Sequence, residues 1–227
     1  IQIGALKAFV RSRFPGVRVA AHHAYLNVAA AVGYPLYQAV SERTWLAEAV
    51  YGALLYPERL PDAARLFRRE AAGSRLLRSR DFGELAARVR DATEQWLAAQ
   101  DWAPFRLVGV TSALCQLTAG LYVIRRLREL RPGLTVVVGG AAFNRLSAAG
   151  ALACFPEIDA VVCGEGELPL SHLVQHHVVE GRPIEKLPPA GGIVRRGDPA
   201  PPCGGPSFYQ LENLDQLPVP DFDDDFA

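Results

Sequence analysis

VVVGGAAFN (136–144) and VVCGEGE (161–167) are two β-branched runs that stop on glycine and give way to sequence with helical spacing. In an open α/β sheet, ligands sit outside the carboxyl ends of the strands, where such runs stop. Glycine at that point leaves space for a flat ligand or a tight turn, because it has no Cβ. Working outward, RLVGVTSAL (106–114) reads as another strand, with a return helix over 117–130 closed by Pro132-Gly133. LTVVVGG (134–140) is followed by a helix over 145–153. IDAVVCGEGE (158–167) is followed by a helix over 168–180 that ends at Gly181. Upstream, VRVAAHHAYL (17–26) reads as a strand. Ile3, Leu6, Phe9 and Val10 share one helical face before it, and Pro15-Gly16 ends that helix.

Strands alternating with helices argue a parallel sheet. Near-continuous apolar strands are those covered by helices on both faces. The expected fold class is therefore α/β, a doubly wound (Rossmann-like) parallel sheet. Its strands are expected near 17–22, 106–112, 134–139 and 159–163. The opening helix reads as the crossover from a first strand upstream of it. Residues 36–56, 58–71 and 81–100 are rich in Ala, Leu and Arg with helical spacing, and form a helical insert over 36–100. GGIVRRGD (191–198) has the length of an edge ribbon within a Pro- and Gly-rich stretch. The α/β domain is expected over 1–206 and a linker over 207–227. In that linker Pro218 and Pro220 favour extended backbone. Asp221, Asp223, Asp224 and Asp225 resist burial, and Phe222 and Phe226 are candidate docking anchors.

The chain is 50% apolar and 21% charged, ordinary for a globular protein. Its 24 basic and 24 acidic residues cancel, which leaves no electrostatic case for nucleic acid or an anionic membrane. No apolar run has the length of a membrane span. The four cysteines, at 115, 154, 163 and 203, are too far apart for a zinc knuckle or an iron–sulfur loop. They read as free thiols of a reducing cytoplasm, with Cys154 and Cys163 buried in apolar surroundings.

Several positions carry two readings. Thr111-Ser112 ends a strand, where hydroxyls cap the next helix or bond a ligand's polar edge. Glu165 and Glu167 suit a helix dipole, and the glycines beside Glu165 suggest a backbone close to a ligand. His22 and His23 point to opposite faces of a strand and cannot chelate one metal together. His172 and His176 stand i, i+4 on a helix, but a solvated face accounts for them. No P-loop, GxGxxG or Ser-His-Asp order is present, which argues against the usual dinucleotide site.

Together TSAL (111–114), VVVGG (136–140), IDAVVCGEGE (158–167) and LPVPDF (217–222) resemble, in that order, the N-terminal cobalamin-binding domain of cobalamin-dependent radical S-adenosylmethionine enzymes. The insert and the DFDDDF ending resemble the subgroup that matures ribosomally made peptides, often as C-methyltransferases. The resemblance implies a cobalamin whose nucleotide tail is buried in the sheet crevice. Gly139 and Gly140 would make room for the tail, and Thr111 or Ser112 would hydrogen-bond it. Leu114 and Gln116 would face the corrin. Phe143, Asn144, Gly164, Glu165, Gly166 and Glu167 complete the implied binding set. Two departures stand out. Ala141-Ala142-Phe143-Asn144 replaces the Pro-His-Ala-Thr common in the family. No Asp-x-His-x-x-Gly motif supplies a histidine to cobalt. The CxxxCxxC loop is also absent. A 4Fe–4S cluster and S-adenosylmethionine are thus expected only in a downstream catalytic domain, and this chain alone cannot cleave S-adenosylmethionine. The expected partner of the whole enzyme is a peptide substrate.

Two alternatives stay open. One is a domain of this type that has lost cobalamin and positions a peptide; the AAFN segment favours it. The other is an unrelated doubly wound domain, such as a flavin carrier or a phosphoacceptor receiver. A receiver needs an aspartate where Thr111-Ser112 stands.

Overall fold

Val136, Val137 and Val138 are each at most 3% exposed, and strand β2 (Thr135–Gly139) runs through the centre of a four-stranded sheet. The computed structural model describes residues 2–199 and 209–225. The chain divides into two units. Unit 1 takes residues 1–22, 102–112 and 128–227, and unit 2 takes 23–101 and 113–127.

Unit 1 is the α/β part. Strand β1 (Leu107–Thr111) pairs parallel with β2, with Leu107 opposite Thr135 and Thr111 opposite Gly139. β3 (Ala160–Val162) pairs parallel on the other side of β2, with Val137 opposite Ala160. β4 (Ile193–Arg195) closes that side antiparallel, with Val162 opposite Ile193, at the place of the expected ribbon. The order β1-β2-β3-β4 puts β2 and β3 inside, and their buried β-branched residues fit that position. Val137, Ala160 and Val162 pack on one face with Leu173, Ile184, Leu187 and Ile193. Burying each of these larger side chains contributes about 1.5–3 kcal/mol.

Helix α1 (Gln2–Arg13) precedes the sheet in sequence, and α9 (Arg145–Cys154) connects β2 to β3. After β3, α10 (Glu167–Leu173) runs into a wider π-type turn over Val174–Val179. Two histidines pin that turn. His176 Nε2 lies 2.9 Å from the Pro183 carbonyl, and His177 Nε2 lies 2.9 Å from Thr135 Oγ1. His176 is 5% exposed, so the solvated face expected for His172 and His176 applies to His172 alone.

Unit 2 is helical: α2 (Ala24–Val32), α3 (Tyr34–Ser41), α4 (Thr44–Leu55), α5 (Leu60–Ala71), α6 (Arg75–Arg78), α7 (Phe82–Ala99) and the first part of α8 (Leu117–Leu130). Val28, Leu46, Val50, Phe67, Leu77, Phe82, Leu85 and Val89 lie in its core. Asp81 caps α7 through the Glu84 amide at 2.9 Å. Glu48 of α4 caps α8, its two oxygens each 3.0 Å from the amides of Leu117 and Thr118. No strand among the described residues falls within 36–100, as expected of the insert.

Three readings need correction. The strand expected over 17–26 is absent: residues 17–23 join no ladder, and 24–26 already belong to α2. A strand needs a paired neighbour. Here the Ala21 amide donates to Asp224 Oδ2 at 2.7 Å and the Val17 amide to the Phe14 carbonyl, while the alanine-rich AYLNVAAAV favours helix. Cys154 is exposed at the end of α9, whereas Cys163 is buried; Cys203 lies outside the described residues. The acidic tail is held rather than repelled. Asp221 and Asp224 lie 2.9 and 2.8 Å from the ammonium of Lys7, which is itself 3% exposed. Phe222 packs against Gly4, and Phe226 lies outside the described residues. No helix among the described residues is long and apolar enough to cross a membrane.

Candidate functional site

The parallel pairing of β1, β2 and β3 puts TSAL, VVVGG and GEGE at the carboxyl ends of three adjacent strands. This is the edge where an open α/β sheet takes ligands. Thr111 is exposed there and Ser112 is buried. The Ser112 amide donates to the Gly139 carbonyl at 2.7 Å, and the Ala142 amide donates to the Ser112 carbonyl at 3.1 Å, so the segment after β2 folds back onto the end of β1.

That fold-back explains Gly140. Its φ is +100°, and a Cβ there would lie 2.4 Å from the Ser112 carbonyl oxygen and 2.9 Å from Thr111 Oγ1. The space beside Gly140 is taken by the chain's own backbone. Gly139 has more room, its ideal Cβ lying 3.4 Å from Val162 Cβ.

Phe143 is 8% exposed and belongs to the core. Asn144 caps α9: its Oδ1 accepts from the amides of Leu146 and Ser147 at 2.9 and 3.0 Å, while the Ser147 hydroxyl accepts from the Asn144 amide at 2.9 Å.

At the end of β3, Gly164 turns with φ +97° and bridges in parallel to Tyr209. The Tyr209 amide donates to the Cys163 carbonyl and the Glu165 amide to the Tyr209 carbonyl, each at 2.9 Å. Glu165 Oε2 accepts from the Leu211 amide. The close approach inferred from the GEGE glycines is therefore made by residues of this chain. Gly166 faces Leu6, with an ideal Cβ 3.1 Å from Leu6 Cδ2.

Among the described residues, two buried side-chain atoms are without a hydrogen-bond partner: Glu167 Oε2 and Arg145 Nε. They stand at the first residues of α10 and α9, the helices that leave β3 and β2. A buried polar atom without a partner costs roughly 1–3 kcal/mol. Arg145 is absent from the residues singled out in the sequence. Its position directly after the capping Asn144 at a strand-end turn is the signal that points to it.

Cys163 is a buried free thiol. Burial pushes its thiol up to about 11, against the lowering influence of the Arg145 charge. Leu114 and Gln116 belong to unit 2. Leu114 is 78% exposed, and Gln116 Oε1 accepts from the Ala113 amide at 3.0 Å. Cys115 between them has φ +67°.

Asp159, at the opposite end of β3, accepts from the Val136 amide at 2.7 Å and from Arg128 at 2.5 Å, a structural tie. His22 packs its ring on Trp102. No group of three metal-ligating side chains occurs among the described residues. At this edge stand the exposed Thr111, two glycine turns filled by the chain's own backbone, and two unpartnered polar atoms. Comparison with protein-family models, curated proteins and solved structures returned no match.

Proposed function

We propose that this chain is the cobalamin-binding module of a radical S-adenosylmethionine enzyme, a C-methyltransferase acting on a peptide substrate in the cytoplasm. The observation that carries this reading is the register Thr111 opposite Gly139, with β3 parallel beside them. It supports the reading because TSAL, VVVGG and GEGE, three of the four segments on which the resemblance rests, then stand in order at one edge.

The sheet would be of the doubly wound type. The Thr135 amide donates to the Arg106 carbonyl and the Ser112 amide to Gly139, so even-numbered residues face β2. The backbone groups of Leu107, Gly109 and Thr111 then face the outer edge of β1, where a doubly wound sheet carries a further strand.

Thr111, exposed at the strand end, and Gly139, where a Cβ would already touch Val162, leave a flat surface that suits a polar-edged group. Arg145 and Glu167 offer a donor and an acceptor to polar substituents on its rim. When bound, cobalamin supplies a transferable methyl group, and the protein supplies binding and orientation.

Equilibrium dialysis with hydroxocobalamin tests the reading. Thr111 is exposed, so Thr111→Trp places a large ring over the strand end, and an unchanged urea midpoint checks that the fold accepts it. Its affinity should fall about tenfold or more, the equivalent of about 1.4 kcal/mol. Wild-type protein that does not bind hydroxocobalamin would reject the reading.

A second reading is favoured by the fillings of Gly140 and Gly164. Both spaces that the resemblance gives to a ligand hold the backbones of Ser112 and Tyr209. On this reading the domain has lost cobalamin and positions a peptide. Peptide binding with no hydroxocobalamin binding would select it.

A further inference from the structure

The segment 209–225 touches the rest of unit 1 at two separated places. At one end Tyr209 bridges Gly164, and its side chain covers the glycine pair before β4: an ideal Cβ on Gly191 would lie 3.3 Å from Tyr209 Cδ2, and one on Gly192 2.7 Å from Tyr209 Cβ. Leu211 donates to the Glu165 carboxylate beside it. At the other end the Asp221 amide donates to the Gly4 carbonyl at 3.0 Å. The Phe222 ring lies so close that a Cβ on Gly4 would meet it at 2.6 Å. Asp221 and Asp224 share Lys7, Arg11 adds a contact to Asp221 at 2.5 Å, and Asp224 also takes the Ala21 amide.

The stretch between the two ends is stiff. Leu214–Gln216 forms a short helical turn that Asn213 caps through the Asp215 amide at 2.9 Å. Leu217-Pro218-Val219-Pro220 follows, and two prolines in four residues hold an extended course. Val219 is 87% exposed, while Leu217, Pro218 and Pro220 are half-buried, so the packing of this stretch is partial and its hydrogen bonds and ion pairs to the rest of unit 1 lie at its ends. A stiff connector whose stability comes from its ends opens and closes as one piece.

We propose that residues 209–225 form a clasp over the Gly164–Glu167 turn, latched at its far end by Lys7. While the latch holds, Tyr209 occupies the β3 end of the ligand edge. When the Lys7–Asp221–Asp224 contacts break, the turn is uncovered and Glu165 is freed to meet an external ligand. The clasp is thus a gate for that corner, and it is tested without any ligand, so its failure is separate from failure of the cobalamin reading.

The test is residue-resolved hydrogen exchange on the full chain, in wild type and in two variants at the far end of the clasp. Gly4→Ala drives a methyl into Phe222 while improving helix propensity in α1. Asp224→Asn removes one carboxylate charge from Lys7. In both, exchange at the Asp221 amide should rise, and exchange at the Tyr209 and Glu165 amides should rise with it, by about tenfold, as one cooperative unit. The β2 amides should keep their wild-type protection. Unchanged exchange at Tyr209 and Glu165 while Asp221 opens would show two independent contacts and overturn the clasp. So would unchanged exchange at Asp221, or an equal rise in β2.

Discussion

Gly140 stands against Ser112 so closely that a Cβ on Gly140 would lie 2.4 Å from the Ser112 carbonyl oxygen. The contact joins the end of β2 to the end of β1 and fixes the edge on which the proposed function depends. The glycine is thereby required by the fold before any ligand is considered.

Gly140→Ala should therefore destabilise the protein even in the absence of ligand. The left-handed φ alone costs roughly 1–2 kcal/mol for a residue with a Cβ, and the collision with Ser112 adds to it. Gly139→Ala, which meets only ordinary packing at Val162, should cost clearly less. Urea midpoints at unchanged slope separate the two. Equal midpoints would show that the fold-back is not rigid.

Asn144→Ala should cost about 1 kcal/mol, because two amides of α9 lose their acceptor. The loss should appear as faster exchange at Leu146 and Ser147. A neutral substitution would mean that water replaces the cap without penalty.

The Lys7 latch gives a pH signature with two limbs. Burial alone would lower the Lys7 amine, but its hydrogen bonds to Asp224 and Asp221 outweigh that and raise it above 10.5. Hydrogen bonds from Lys7 and from the Asp223 amide hold Asp221 below 3.8. Burial pushes Asp224 up, yet Lys7 and the Ala21 amide bring it below 3.8 as well. The acids therefore stabilise the fold above their ordinary value, and that share is lost as pH falls through their lower folded values. The lysine's share is complete below 10.5 and is lost as pH rises through its higher folded value. Thermal midpoints of wild type and Lys7→Met should lie furthest apart between these limits and converge at both extremes. A constant gap would assign Lys7 a packing role only.

Strands β2 and β3 were legible in the sequence because they are β-branched runs ended by glycines, a local signal. The 17–26 segment misled because alternation at VRVA looks like a strand, while pairing depends on a neighbour that no local pattern supplies. The glycines of the site could be read as special but not as to what fills them. Gly140 and Gly164 are matched to Ser112 and Tyr209, and the second of these partners is 45 residues away along the chain. The tail escaped reading for the same reason. Four aspartates in a row of five residues look solvated until a single buried lysine, more than two hundred residues earlier, gives two of them a partner.

Thiol labelling at neutral pH should find Cys154 before Cys163. Cys154 is exposed, and Cys163 is buried with its thiol pushed up to about 11 by that burial. Site-resolved mass spectrometry after maleimide treatment reads the order. Fast modification of Cys163 in folded protein would mean that the end of β3 opens far more often than its packing implies.

In unit 2, Glu94 is the acid whose removal should be felt. It accepts from Tyr122 at 2.7 Å and from Arg126 at 2.7 and 3.0 Å. Burial pushes its carboxyl up, but the Arg126 and Tyr122 hydrogen bonds and the Arg126 charge hold it below 4.5. Burial and the same bond raise the Tyr122 hydroxyl above 10.0. The Glu94 and Arg126 side chains are about one-third exposed, so solvent screens the pair and Glu94→Gln should cost about 1 kcal/mol at pH 7. The folded value of Glu94 is depressed, so its contribution is present above 4.5 and fades as pH falls through that lower value. The gap in thermal midpoint between wild type and Glu94→Gln should therefore narrow from pH 6 toward pH 3. A gap that persists in acid would assign the loss to the geometry of the amide rather than to the missing charge.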